Sequence, residues 1–111
     1  MFKTVQIQQL HNQWLKAQEG CGDCTIIDVR EVSEYVRGHV PNAKLVVLST
    51  IPARSSEIPK TGDVYIICQA GGRSAQAAQF LAQQCGHTNL INVAGGTGAW
   101  IAAGLPIQTG E

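Results

Sequence analysis

The sequence predicts an α/β fold, a three-layer sandwich in which a mostly parallel central sheet of about five strands carries helices on both faces. Three observations predict it. The runs TIIDV at 25–29, AKLVVL at 43–48 and VYIIC at 64–68 are largely apolar and do not alternate, as expected of strands buried on both sides. The segments between such runs have helical spacing, so strands and helices alternate along the chain. With 111 residues, 44% of them hydrophobic, the chain can build one core without disulfides or metals, so residues 1–111 read as a single domain.

Each element has its own signal. Residues 2–5 read as a short strand, followed by a helix over 7–18 whose apolar stripe is Ile7, Leu10, Trp14 and Leu15, stopped by Gly20. TIIDV is a buried strand, EVSEYVRG a short helix ended by Gly38, and AKLVVL a second buried strand. Between 49 and 61, Pro52 and Pro59 limit any helix to a turn or two. A strand at 64–68, a helix from 74 to about 85, a strand at 89–93 and a short helix near 98–103 complete the order.

Composition excludes several function classes. Eight basic and eight acidic residues cancel, and no basic cluster appears, which argues against a nucleic-acid partner. No apolar run approaches the roughly 18 residues of a membrane span, and MFKTVQIQQL lacks the apolar centre of a signal peptide. The expectation is a soluble, cytoplasmic protein. Its four cysteines are irregularly spaced, unlike a disulfide framework, and a reduced compartment leaves them as thiols.

The stretch VYIICQAGGRSAQAAQFL carries the chemistry. A buried strand ends at Cys68, passes Gln69, Ala70, Gly71 and Gly72, and enters a helix through Arg73 and Ser74. Ligands of parallel sheets collect beyond the carboxyl ends of strands. The two glycines let successive backbone N–H groups turn inward, and the helix start adds unpaired donors and a positive dipole end. Such a cradle favours thiolate over thiol, and Arg73 adds a charge suited to an incoming anion. Ser74 has the chemistry of an N-cap. A cysteine that only packs in a core needs neither an amide loop nor a cation.

These residues carry a resemblance. CQAGGRS is similar to the active-site loop of the rhodanese family of sulfurtransferases. IIDVRE at 26–31 resembles the family's Asp-x-Arg segment, EYVRGHVPNA at 34–43 its Glu-Tyr-x-x-Gly-His-Ile-Pro-Gly-Ala motif, and VAGGTGAWIAAGLPI at 93–107 its Gly-Gly-x-x-Ala-Trp signature. Asn42 stands where glycine is usual, and asparagine tolerates the left-handed backbone nearly as well. The loop differs from those of the two-domain thiosulfate and mercaptopyruvate enzymes, so the chain resembles the stand-alone single-domain members. The resemblance implies a rhodanese-like sandwich and a Cys68 that alternates between thiolate and persulfide, taking sulfur from thiosulfate and passing it to a thiol or cyanide. It implies substrate binding by the amides from Gln69 to Ser74, a donor-steering Arg73, and Asp28 and Arg30 near the pocket, where an ion pair bracing loops competes with a direct role. No cofactor or metal is implied. A thioredoxin-like or other thiol protein is a further expected partner. A persulfide carrier serving a protein partner needs the same loop and stands as the alternative. A phosphatase or arsenate reductase fits less well, because those relatives place five residues between cysteine and arginine where this chain has four.

Other features carry less. Cys21-Gly-Asp-Cys24 follows a helix and precedes a strand, the reverse of a thioredoxin-like pair, and a zinc site would need two more ligands than the spacing offers. Cys85 shares a helical stripe with Ala78, Leu81 and Ala82 and is expected in the core. His39 is read as a turn and hydrogen-bonding residue, His11 and His87 as surface residues, and Trp14 and Trp100 as packing anchors.

Overall fold

A computed structural model describes residues 2–20 and 24–110. Five strands, β1 (Lys3–Val5), β2 (Thr25–Asp28), β3 (Lys44–Leu45), β4 (Val64–Ile67) and β5 (Leu90–Val93), form one sheet in the order β1-β5-β4-β2-β3. Every pairing is parallel. Five helices connect or follow them: α1 (Ile7–Gln18), α2 (Val32–Arg37), α3 (Ile51–Arg54), α4 (Gly72–Gln84) and α5 (Gly96–Ala102).

Successive strand residues point to opposite faces, so each apolar run feeds two cores. Ile27, Val64, Ile66 and Leu90 pack with Ala77, Ala78 and Leu81 of α4 and with Ile51 and Ile58. Ile26, Tyr65, Ile67, Ile91 and Val93 pack on the other side with Ile7, Leu10 and Trp14 of α1 and Trp100 of α5. This is the expected sandwich with helices on both faces. β4 occupies the centre of the sheet, and its carboxyl end delivers Cys68.

Several expectations need correction. The strand expected at 43–48 is only Lys44–Leu45. Val46 and Leu48 still donate to the Asp28 and Val29 carbonyls at 2.9 and 3.1 Å, but β2 ends there and leaves no ladder to extend. The proline-limited stretch is as expected: its one α-helical turn is α3, between 3-10 turns at Leu48–Thr50 and Ser55–Glu57, with Pro52 in its first turn, where a missing N–H costs nothing. Leu15 is 42% exposed. At about 100° per residue it is turned a quarter circle from Trp14, beyond the buried stripe. His87 is buried, not exposed: Gly86, at φ 74°, ends α4 and swings the His87 N–H back onto the Leu81 carbonyl at 3.2 Å, while Nε2 donates to Ile58 O at 3.0 Å. His11 is half-buried against Trp14 and Trp100, and Cys85 is only partly buried at the edge of its core. Of Cys21-Gly-Asp-Cys24, residues 21–23 lie outside the described residues.

Candidate active site

The Cys68 loop is shaped from behind by the first turn of α5. Thr97 N–H donates to the Cys68 carbonyl at 2.8 Å and Gly98 N–H to the Gln69 carbonyl at 3.0 Å. A trans peptide points its N–H opposite to its C=O. Drawing those carbonyls onto α5 therefore turns the Gln69 and Ala70 amides the other way. The approach is close enough that a Cβ at Gly96 (φ 56°) would stand 2.2 Å from Cys68 O. The glycines of VAGGTGAW thus serve the cysteine loop directly.

Cys68 is buried. Gly71, at φ 110°, turns its N–H onto Cys68 Sγ at 3.1 Å, a conformation that favours glycine. Burial pushes the Cys68 thiol up, but its hydrogen bonds with the Ser74 hydroxyl and with the Ser74, Gly71 and Ala70 amides together outweigh it and hold the thiol below its ordinary value. Ser74 is not the N-cap. α4 begins two residues earlier, at Gly72, because Gly71 makes the turn. The freed hydroxyl lies 3.4 Å from Cys68 Sγ, 2.5 Å from Asn92 Oδ1 and 3.1 Å from Gly71 O.

Asp28 and Arg30 stand at the neighbouring strand end as a buried ion pair. Arg30 Nη2 donates to Asp28 Oδ2 and Gly38 O, both at 2.9 Å, and Nη1 to Gln69 Oε1 at 3.2 Å. One side chain thereby joins β2, the turn after α2 and the cysteine loop. Arg73 differs from the sequence reading of a charge free to meet an anion. Its fork is filled by Glu34 of α2, at 2.7 Å from Nη1 and 2.8 Å from Nη2. The hydrogen-bonded guanidinium holds the Glu34 carboxyl down at about 2, so the pair is fully ionised at neutral pH.

Among the sequence-selected residues, Cys68, Gln69, Ala70 and Gly71 form one loop that runs into Gly72, Arg73 and Ser74 in the first turn of α4, and the Asp28–Arg30 pair reaches it through the bond from Arg30 to Gln69. Sequence reasoning missed three contributors. Asn92 is a polar residue inside the buried strand LINV, a visible signal. Glu34 lies in a quoted motif without an assigned role, and Thr97 acts through its backbone, which side-chain identity cannot reveal. His39 has the expected role, its Nδ1 donating to Tyr35 O at 2.8 Å. Half-buried Cys24 is pushed by burial up to about 11. Among the described residues no three of His, Cys, Asp or Glu cluster closely enough to share a metal ion, and no helix is long and apolar enough to cross a membrane.

A family model described as Rhodanese-like domain matches residues 11–103. A protein of Allochromatium vinosum named Sulfurtransferase is 43% identical over 89 residues, which are 80% of this chain and 82% of that protein. Bacillus subtilis YrkF, provisionally named a sulfur carrier protein, is 37% identical over 75 residues, 68% of this chain but 40% of its own length. Among solved structures, a Rhodanese-like Domain Protein from Staphylococcus aureus superposes with a TM-score of 0.83 at 31% identity, covering 99% of this chain and 100% of that one.

Proposed function

The chain belongs to the rhodanese family, and from that premise we propose that it transfers sulfane sulfur through a persulfide on Cys68. Similarity to a protein named Sulfurtransferase supports sulfur transfer in general. The observation that carries the reading is the Gly71 amide 3.1 Å from Cys68 Sγ, in a loop whose carbonyls are tied to α5. Donors fixed before any sulfur arrives need no reorganisation to stabilise a thiolate or the compact anion of a persulfide.

The first half-reaction takes sulfur from thiosulfate. The Cys68 thiolate attacks the outer sulfur, a bond forms between Sγ and that sulfur, and the bond to the sulfonate breaks with its electron pair, releasing sulfite. Charge balances, because one thiolate and a dianion give one persulfide anion and a dianion. In the second half a thiolate or cyanide attacks the terminal persulfide sulfur and regenerates the Cys68 thiolate, leaving an acceptor persulfide or thiocyanate. Gln69, Ala70, Gly71, Gly72 and Ser74 line the sulfur with amides and one hydroxyl. Arg73 neutralises Glu34 beside the loop, and Asp28 with Arg30 braces it. Residues 1–111 act as one domain in a reducing compartment such as the cytoplasm, where the thiol stays available.

Carriage of the persulfide to a thiol protein is the second reading, favoured by the similarity to YrkF. Steady turnover of thiosulfate with a small thiol or cyanide separates the two. Many turnovers per chain support the enzyme, whereas a single sulfur loaded and released only to a protein thiol supports the carrier. A chain whose Cys68 takes no sulfur from thiosulfate contradicts both.

A further inference from the structure

Three arginines approach the Cys68 loop, and two of them are already spent. Arg30 is closed by Asp28, Gly38 O and Gln69 Oε1, and Arg73 by Glu34. Arg37, at the last turn of α2, is exposed, and among the described residues it has no ion pair or hydrogen bond. It lines a hollow of about 310 Å³ together with Arg30, Glu34, Gly38, Gln69 and Ile101. Counting Asp28 with Arg30 and Glu34 with Arg73 as neutral pairs leaves one uncompensated charge on this wall, the Arg37 cation.

Gln69 supplies a second donor to the same hollow. Its Oε1 accepts from Arg30, so the end left over is the Nε2 amide. Gly98 leaves room for that amide, since a Cβ there would stand 3.0 Å from Nε2. A fork cation, an amide donor and a wall residue covalently next to Cys68 match the needs of an oxyanion whose attached sulfur must reach the thiolate.

We propose that Arg37 and Gln69 Nε2 form the docking subsite for the oxyanion end of an anionic sulfane-sulfur donor, with Arg37, in place of Arg73, as the cation that captures it. This rests on the sulfurtransferase reading and names the donor class, a sulfane sulfur attached to a sulfonate or a similar oxyanion. Arg37 is a positioning residue, because the bond changes occur at Cys68 and the outer sulfur.

The test follows modification of full-length Cys68 by intact mass with two donors: thiosulfate, which adds one sulfur and releases sulfite, and an uncharged dialkyl trisulfide, whose central sulfur bonds to Sγ and keeps one alkylthio group while the other leaves as an alkanethiolate. In Arg37→Gln the thiosulfate KM rises about tenfold, the loss of one charge contact, and the rate at saturating donor stays within about twofold. The trisulfide is unaffected. Arg37→Lys keeps most of the thiosulfate affinity, and the slowing of wild-type loading by added salt is largely absent in Arg37→Gln. A wild-type thiosulfate KM in Arg37→Gln, or an equal loss with both donors, overturns the subsite. Failure of wild-type Cys68 to accept sulfur from either donor is a different result, and it overturns the sulfurtransferase reading itself.

Discussion

Arg73 and Glu34 act on the cysteine as a unit. Removing the cation alone leaves a carboxylate beside a site built for anions. Arg73→Ala is therefore expected to lower thiosulfate loading per donor concentration roughly tenfold to hundredfold, chiefly by unmasking Glu34. Arg73→Ala with Glu34→Gln should recover most of the loss, so the double-mutant cycle shows strong coupling. Additive losses would instead mean that Arg73 contacts the donor. Asn92 belongs to the same scale, 2.5 Å from Ser74 Oγ. Asn92→Asp places a carboxylate there that holds the Ser74 proton and repels a thiolate. The pH profile of Cys68 loading should shift upward by about one unit, and an unmoved profile would remove Asn92 from the site. The Cys68 loop was legible because Gly-Gly-Arg-Ser begins three residues after the cysteine and opens a helix. The occupation of Arg73 was not, because Glu34 comes from a helix 39 residues away and nothing local in either segment signals that pairing.

At the scale of elements, α5 is both a lid on one core and the backing of the cysteine loop. Trp100 anchors it among Leu10, Trp14 and Ile67, and its first turn grips the Cys68 and Gln69 carbonyls. Gly96→Ala forces a Cβ against Cys68 O and strains a left-handed φ. Loss of one or two backbone hydrogen bonds, at about 1 kcal/mol each, plus 1–2 kcal/mol of strain should cost about 2–4 kcal/mol of stability. Urea unfolding measures the first effect, and loading of the still-folded fraction, expected to be slowed, measures the second. Unchanged stability would mean that the loop does not lean on α5. Strand and helix order was legible because apolar runs and helical stripes are local patterns. Starts and lengths were less so: α4 begins at Gly72 because Gly71 adopts φ 110°, and β3 stops early because β2 runs out. Both are decided by neighbours distant in sequence.

Across the whole molecule, two thiols tie stability to pH in opposite senses. Cys68 is held below the ordinary 9.0, so the folded chain carries fewer protons than the unfolded chain and stability rises with pH up to that value. Cys24 is raised to about 11, so the unfolded chain ionises first above 9.0 and stability falls. Cys24→Ser should remove part of the fall between pH 9 and 10 in urea unfolding. An identical fall in the variant would place the loss elsewhere. The short loop also bears on the reaction chosen. Amides converging near one sulfur leave little room for the three oxygens of a phosphoryl group, so aryl phosphate hydrolysis should be negligible beside sulfur transfer. Cys68-dependent phosphatase turnover exceeding it would replace the sulfur reading.

The most direct test is intact mass spectrometry of the full chain after thiosulfate treatment, with the site located by peptide mapping. The account predicts one added sulfur at Cys68, its removal by cyanide or a thiol, and no addition in a folded Cys68→Ser variant. Sulfur mapped to Cys21 or Cys24, with transfer surviving in Cys68→Ser, would contradict it.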